Sequence, residues 1–446
     1  METKTFGRRN WRILLLFGLI GQVAWAVENM YFNLFVFETI APNLGAITLM
    51  VQLSGVVATL TTLVAGALSD KIANRRSFIS FGYIIWGVTV ALFGMLNPAG
   101  VADIFGLPLT RAVSVTLTLA VVGDCVMTLF GSTANDAAFN AWVTDNTKEA
   151  FRGKVEGVLA ILPLIAMLIV AGGFGMLVES MGYRTLFLLL GIVISLCGVL
   201  GVLFVKDSEA LTQNGTLKDI FYGFKPSVLR RYPALYLTLL AMGVYGIACQ
   251  IFMPYLIIYM KTYLGFSTVE YSVVFGAAIL LGAAVNLVIA GRVDRYDKAK
   301  ILYAAAPLLS LGLLGMFFAR FGGKTTVLLT FGVAGFVMIC GYILVSALCG
   351  ALVRDYTPEG DVGKLQGVRM VFGVLIPMVI GPLIGNAINK AANVKLLNAG
   401  ADAMTTEYIP APAIFAVAAG VSLLMLALVP FLTKFTKKEN GYEITH

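Results

Sequence analysis

"DNTKEAFRGKVEGV", residues 145–158, returns without a gap as "DYTPEGDVGKLQGV", residues 355–368. Asp, Thr, Glu, Gly-Lys and Gly-Val recur in register. A second pair runs in the same order: "GALSDK" at 66–71 matches "AGRVDR" at 290–295. Both pairs are polar turns, and apolar sequence surrounds each of them. The chain therefore reads as one unit written twice, with matching turns in matching places.

The apolar surroundings set the solvent. Of 446 residues, 59% are hydrophobic and 13% charged, with a mean hydropathy of +0.88. Soluble domains carry about 25% charged residues, so this chain has too little polar surface to coat a water-soluble globule. Twelve apolar runs lie near 12–38, 46–68, 78–97, 113–141, 154–178, 185–205, 234–260, 268–290, 301–319, 325–352, 366–388 and 411–433. Each is long enough to cross a hydrocarbon core of about 30 Å, and each must be helical, because lipid cannot satisfy free backbone groups. The expected fold class is an all-α polytopic membrane protein, with 12 transmembrane helices in two pseudo-symmetric six-helix bundles. Residues 1–205 and 234–446 are the bundles, and 206–233 is a polar central loop between them.

The first run follows "RRNWR" and passes through "AWA", which imitates a secretory signal with its cleavage site. It continues past Ala26 to Val36 and so reads as an uncleaved first span. Lys and Arg orient the spans. The tails and the loops after helices 2, 4, 6, 8 and 10 hold 25 of the 32 basic residues. Both termini and the central loop are thus expected in the cytoplasm of a cell-membrane protein. That bias accounts for the net charge of +8, so no nucleic-acid partner follows from it. The five cysteines lie in apolar runs without a C-x-x-C, so neither a disulfide framework nor a metal site follows. The single histidine is His446, and the sequon at Asn214 falls in the central loop.

The turn "GALSDKIANRR" at 66–76 carries a family resemblance. Gly66, Leu68, Ser69, Asp70, Lys71, Arg75 and Arg76 fit a pattern found between helices 2 and 3 of the major facilitator superfamily, which the whole chain resembles in its twelve spans and repeated loops. Ala73 and Asn74 depart from the pattern, which has glycine and a basic residue there and so a tighter turn. The resemblance implies a major facilitator fold and transport by alternating access. It implies a gate in which Asp70 faces the start of helix 11 and the basic residues pair with an acid ending helix 4, here Asp145. Arg152 and Arg369 join that expected gate. Gly66 is expected to let helix 2 pack closely on a neighbour.

Three acids fall well inside apolar runs: Glu28, Asp124 and Asp136. An ionisable residue there costs about 2.5–3.5 kcal/mol and is by default a functional hypothesis. Helix 1 presents Gln22, Trp25, Glu28, Asn29 and Phe32 in steps of three and four, on one face. An aromatic ring with amides and an acid suits a polyhydroxylated or amphipathic ligand. Helix 4 repeats Asp124, Thr128, Ser132, Asp136 and Asn140 every fourth residue, with Asn135 beside them. That ladder is expected to line a water-filled path. The second half offers Tyr245, Gln250 and Tyr255 on helix 7, Asn286 on helix 8, and Arg369 and Asn386 on helix 11. At the helix-4 repeat positions it has Ala334, Met338, Tyr342, Ser346 and Gly350, with no acid.

A carboxylate withdrawn from water can bind a proton near neutral pH, so Glu28 and Asp124 are the candidate cation-coupling residues, for H+ ahead of Na+. Acids in helices 1 and 4 also resemble the glycoside–cation symporters of that superfamily. The expectation is a monomeric symporter for a sugar or glycoside-like solute, and the alternative is a proton-driven exporter of amphipathic drugs or lipids. No nucleotide-binding loop or soluble catalytic domain is legible, so no enzyme and no cofactor beyond the coupling ion is expected.

Overall fold

Backbone groups without water must bond within their own segment, and every apolar run folds accordingly. The structure, a computed structural model, describes residues 6–147, 149–208, 217–293, 297–358, 362–395 and 408–434. Among these the long helices are α1 Arg8–Ile40, α2 Leu44–Ile72, α3 Arg75–Phe93 and α4 Leu109–Asn146. Helices α5 (149–181) and α6 (183–204) follow one another directly, with only Gly182 between them. Then follow α7 Pro233–Thr262, α8 Thr268–Val293, α9 Lys298–Phe318, α10 Lys324–Asp355, α11 (362–392) and α12 Ala413–Lys434. The described residues form no strand; one isolated antiparallel bridge joins Lys395 and Tyr408.

The boundary between α5 and α6 rests on one residue. Gly182 takes φ 77° and ψ 161°, a region open essentially to glycine alone. Glu179, Ser180 and Arg184 mark the same boundary in the sequence, where one apolar run ends near 178 and the next begins near 185.

The chain divides into two compact units, Met1–Ile220 and Phe221–His446. In the first, α3 and α6 meet backbone to backbone: a Cβ on Gly87 would sit 2.3 Å from the Gly191 carbonyl oxygen. An aromatic cluster of Phe32, Phe35, Phe93, Tyr183 and Phe187 fills one end, with Phe32 stacked on Phe93 at 4.3 Å. In the second, "GPLIG" lets α11 lie against α7, where Cβ atoms on Gly381 and Gly385 would run into Gln250 and the Ile251 carbonyl.

Two helices break at matching places. A π-helical turn, Glu28–Phe32, interrupts α1. A 3₁₀ turn, Met253–Tyr255 with Pro254 inside it, interrupts α7. Aligning Gly21 with Gly243 brings the two interruptions onto the same stretch.

The central segment is more structured than a polar loop. Leu217–Phe224 and Pro226–Arg231 are short helices. Val228 packs with Leu235, Leu239, Val353, Leu365 and Val368 of the second unit, and Tyr222 lies against that core. The apolar residues scattered through this charged stretch cover the end of α7, which periodicity over so short a segment does not reveal.

Candidate substrate and cation site

Glu28 opens the π turn of α1, and its carboxylate points toward α2 and α4. Its Oε1 accepts hydrogen bonds from Ser54 Oγ of α2 and Thr128 Oγ1 of α4, each at 3.1 Å. The two hydroxyls are themselves 2.7 Å apart. Ser54 also faces the carboxyl of Asp124, one turn from Thr128 on α4. The four side chains are enclosed, with Glu28 7% exposed, Ser54 3%, Thr128 0% and Asp124 2%. Glu28 Oε2 and Asp124 Oδ1 are buried with no hydrogen-bond partner. Among the described residues no lysine or arginine pairs with either acid. Two carboxylates in one low-dielectric place repel, and each favours neutralisation by a cation.

The α4 ladder changes character along its length. Asp124, Thr128 and Ser132 are buried, Asp136 is half-buried and Asn140 is exposed. Ser132 donates to Asp136 Oδ2 at 3.1 Å, Asn135 donates to Asp136 Oδ1 at 3.4 Å, and Tyr83 of α3 donates to Asn135 at 3.0 Å. The ladder thus does not line a path over its whole length. Its Asp124–Ser132 part is enclosed among helices of the first unit, and only the Asp136–Asn140 part opens.

The α1 face divides in a similar way. Asn29 is exposed and donates to its own helix at the Trp25 carbonyl, 2.8 Å away. Gln22 and Trp25 are half-buried, with Trp25 5.0 Å from the Trp86 ring. Phe32 is 1% exposed inside the aromatic cluster, so the structure places it in packing and not on an open ligand face.

The second-unit candidates bind backbone. Tyr245 donates to the Tyr342 carbonyl at 3.1 Å, and Tyr255, fully buried, to the Pro382 carbonyl at 3.0 Å. Asn286 donates to the Gly282 and Cys340 carbonyls at 2.9 and 3.3 Å. Gln250 is half-buried beneath Gly381. Asn386 accepts from Tyr408 at 2.8 Å, and Arg369 is exposed near the start of α11. Most of these contacts join helices within the unit.

The α2–α3 turn is a clamp built on Arg75. Its guanidinium bonds Asp70, reaches Asp145 Oδ2 at the end of α4 at 3.0 Å, and donates to Ser69 Oγ at 2.6 Å. Arg76 binds elsewhere: its backbone N–H donates to Asp207 at 2.9 Å and its side chain to the Val202 carbonyl. Among the described residues a Cβ on Gly66 meets nothing within 4 Å, so the close helix packing expected there is not found among them. The turn is not loosened at Ala73 either. Ala73 takes the left-handed conformation, φ 53° and ψ 46°, that glycine favours. Asn74 caps α3 by accepting from Ser77 N at 2.9 Å, a role its small amide fills and a basic residue cannot. The side chain of Arg152, and all of Asn214 and His446, lie outside the described residues.

Sequence reasoning passed over Ser54. It is one hydroxyl among several in α2, and nothing in its spacing marks it; only the packing of α2 between α1 and α4 brings it to both acids.

Comparison agrees with the architecture. The Major Facilitator Superfamily model matches residues 13–382, and the chain belongs to that superfamily of transporters. Crystal structures of the nucleoside transporter NupG share the fold. A point mutant of it superposes with a TM-score of 0.69 at 11% identity, covering 94% of this chain and 99% of that one. A second NupG structure gives 0.64 at 12% identity, covering 95% and 98%. No curated protein matches the chain by sequence.

Proposed function

We propose that this transporter is a proton-coupled symporter for a small polar solute of the sugar or glycoside kind. Glu28 and Asp124 carry the coupling proton, and the half-open face of Gln22, Trp25, Asn29, Asp136 and Asn140 meets the solute. It works as a monomer in the cell membrane with both termini in the cytoplasm, and the Arg75 clamp with Asp70 and Asp145 forms part of its gate. The observation that carries this reading is the pair of enclosed carboxylates from α1 and α4 without a basic partner. A fold has little reason to keep two such groups, at about 2.5–3.5 kcal/mol each, unless their charge changes during the cycle.

Proteoliposomes test it. Sugars, glycosides and nucleosides are screened for uptake under an imposed pH gradient, then under a sodium gradient. The expected result is accumulation of at least one solute driven by the pH gradient, abolished in Glu28→Gln. Uptake of every hit indifferent to both gradients would sink the coupling. Movement of amphipathic dyes against a proton gradient, with no sugar uptake, would replace the symporter by an exporter.

A further inference from the structure

The cluster around Glu28 does not have enough hydrogens. Glu28 Oε1, Ser54 Oγ and Thr128 Oγ1 form a closed triangle with sides of 3.1, 3.1 and 2.7 Å. Each side is a hydrogen-bond distance. The two hydroxyls supply one hydrogen each, so with both acids ionised one side has none, and the Ser54 approach to Asp124 adds a further demand. Two carboxylate oxygens, on Glu28 and Asp124, are buried and unpartnered besides. One added proton on the pair would complete the triangle and remove one of two like charges.

The repeat supplies a control. Carried to the second half, Glu28 falls on Gln250, Ser54 on Ala278, Thr128 on Met338 and Asp124 on Ala334. Ala278, Met338 and Ala334 are buried, so the same place in the same fold packs with apolar side chains. The architecture requires neither the hydroxyls nor the Asp124 carboxyl, and at the place of Glu28 it keeps a polar side chain, Gln250, without the charge.

We propose that Glu28 and Asp124 hold a single proton between them, with Ser54 standing between the two acids and Thr128 on the Glu28 side, and so act as one site and not two. This rests on the proton-coupled reading above. Binding takes one proton from water onto the carboxylate pair, whose charge falls from two to one; release returns it. Among the described residues, Asp136 and Cys125 of α4 are the other ionisable groups near enough to interact electrostatically with the pair. Tyr83 of α3 stands toward Asp136, and α2 brings a hydroxyl at this depth. Ser54 is the positioning residue.

Infrared difference spectroscopy on the full-length protein in lipid nanodiscs, without solute, tests the proposal. The protonated-carboxyl C=O band is followed through a pH titration, then through added NaCl at fixed pH. The expected result is one band lost in one step worth one proton per chain. Glu28→Gln and Asp124→Asn should each displace that step. Ser54→Ala should move it by about one pH unit, and Ser54→Thr should restore it. If each single acid variant leaves the other acid titrating with wild-type midpoint and amplitude, the acids are independent and the proposal fails. Loss of the band on adding NaCl at fixed pH would give the site to sodium and also overturn it. Size-exclusion profiles and thermal unfolding confirm that the variants are folded. If uptake ignores the pH gradient while the one-step titration persists, the transport reading fails and the shared site stands; the reverse outcome sinks the shared site alone.

Discussion

Ala73 shows how a single residue can keep a turn at a cost. Its left-handed backbone costs an L-residue with a Cβ about 1–2 kcal/mol, and glycine avoids that cost while losing some entropy on folding. Ala73→Gly is therefore expected to stabilise the protein by about 1 kcal/mol, read as a higher midpoint of thermal unfolding in detergent. Phe32 makes the opposite case. Its ring is stacked on Phe93 and flanked by Phe187, so Phe32→Ala is expected to cost about 3–5 kcal/mol of stability. Phe32→Leu should cost much less and leave solute affinity unchanged in an uptake assay. A large affinity loss in a well-folded Phe32→Leu would return the residue to the ligand face. Spacing on a helix wheel placed Phe32 beside Glu28, but a wheel cannot tell an inward face that meets ligand from one that meets other rings.

Elements meet through two devices. The first is the Arg75 clamp, which ties the α2–α3 turn to the end of α4 by a buried guanidinium. Arg can hold Asp70, Ser69 and Asp145 together because its fork presents several donors, and Lys cannot. Asp70 and Asp145 keep some solvent access, with side chains 45% and 23% exposed, which screens the pair. A double-mutant cycle of Arg75→Ala with Asp145→Ala should give a coupling of about 1–2 kcal/mol, with Arg75→Lys recovering only part of it. A coupling near zero would mean that the contact is incidental. The second device is the backbone contact of α3 with α6. A side chain at Gly191 would meet the Gly87 carbonyl, so Gly191→Val should yield little monodisperse protein, judged by size-exclusion after extraction. The family resemblance made the pairing of Arg75 with Asp145 legible in the sequence, but not the bond of Arg75 to Asp70. The Gly87–Gly191 contact was not legible either, because glycines are frequent in apolar spans and do not announce their partners.

At the scale of the whole molecule the repeat extends to an ion pair. Asp355 is the repeat partner of Asp145, and it binds Lys298 Nζ at 2.7 Å, from the turn that corresponds to the one carrying Arg75. Each unit thus ties its second-to-third helix turn to the end of its fourth helix. The two pairs belong to separate compact units, so Asp145→Asn and Asp355→Asn should add in thermal or denaturant unfolding within about 0.5 kcal/mol. Larger non-additivity would show that the two turns are energetically linked. The buried acids break this symmetry. Among the described residues each unit has an ion pair from that turn to its fourth helix, and only the first has the carboxylate cluster.

The sequence by itself determined the membrane, the helices and the two-unit plan. Hydropathy decides the solvent, lipid leaves helices as the way to satisfy the backbone, and duplicated polar turns mark the repeat. It also marked Glu28 and Asp124, since an acid in an apolar run stands out without any structure. Tertiary structure decided what those acids touch. It enclosed Asp124 and Thr128, drew Ser54 in from α2, and turned Phe32, Tyr255 and Asn286 to packing. Those outcomes depend on how neighbouring helices rotate and how closely they approach. Shape complementarity between distant segments sets both, and the periodicity of a single helix does not encode it.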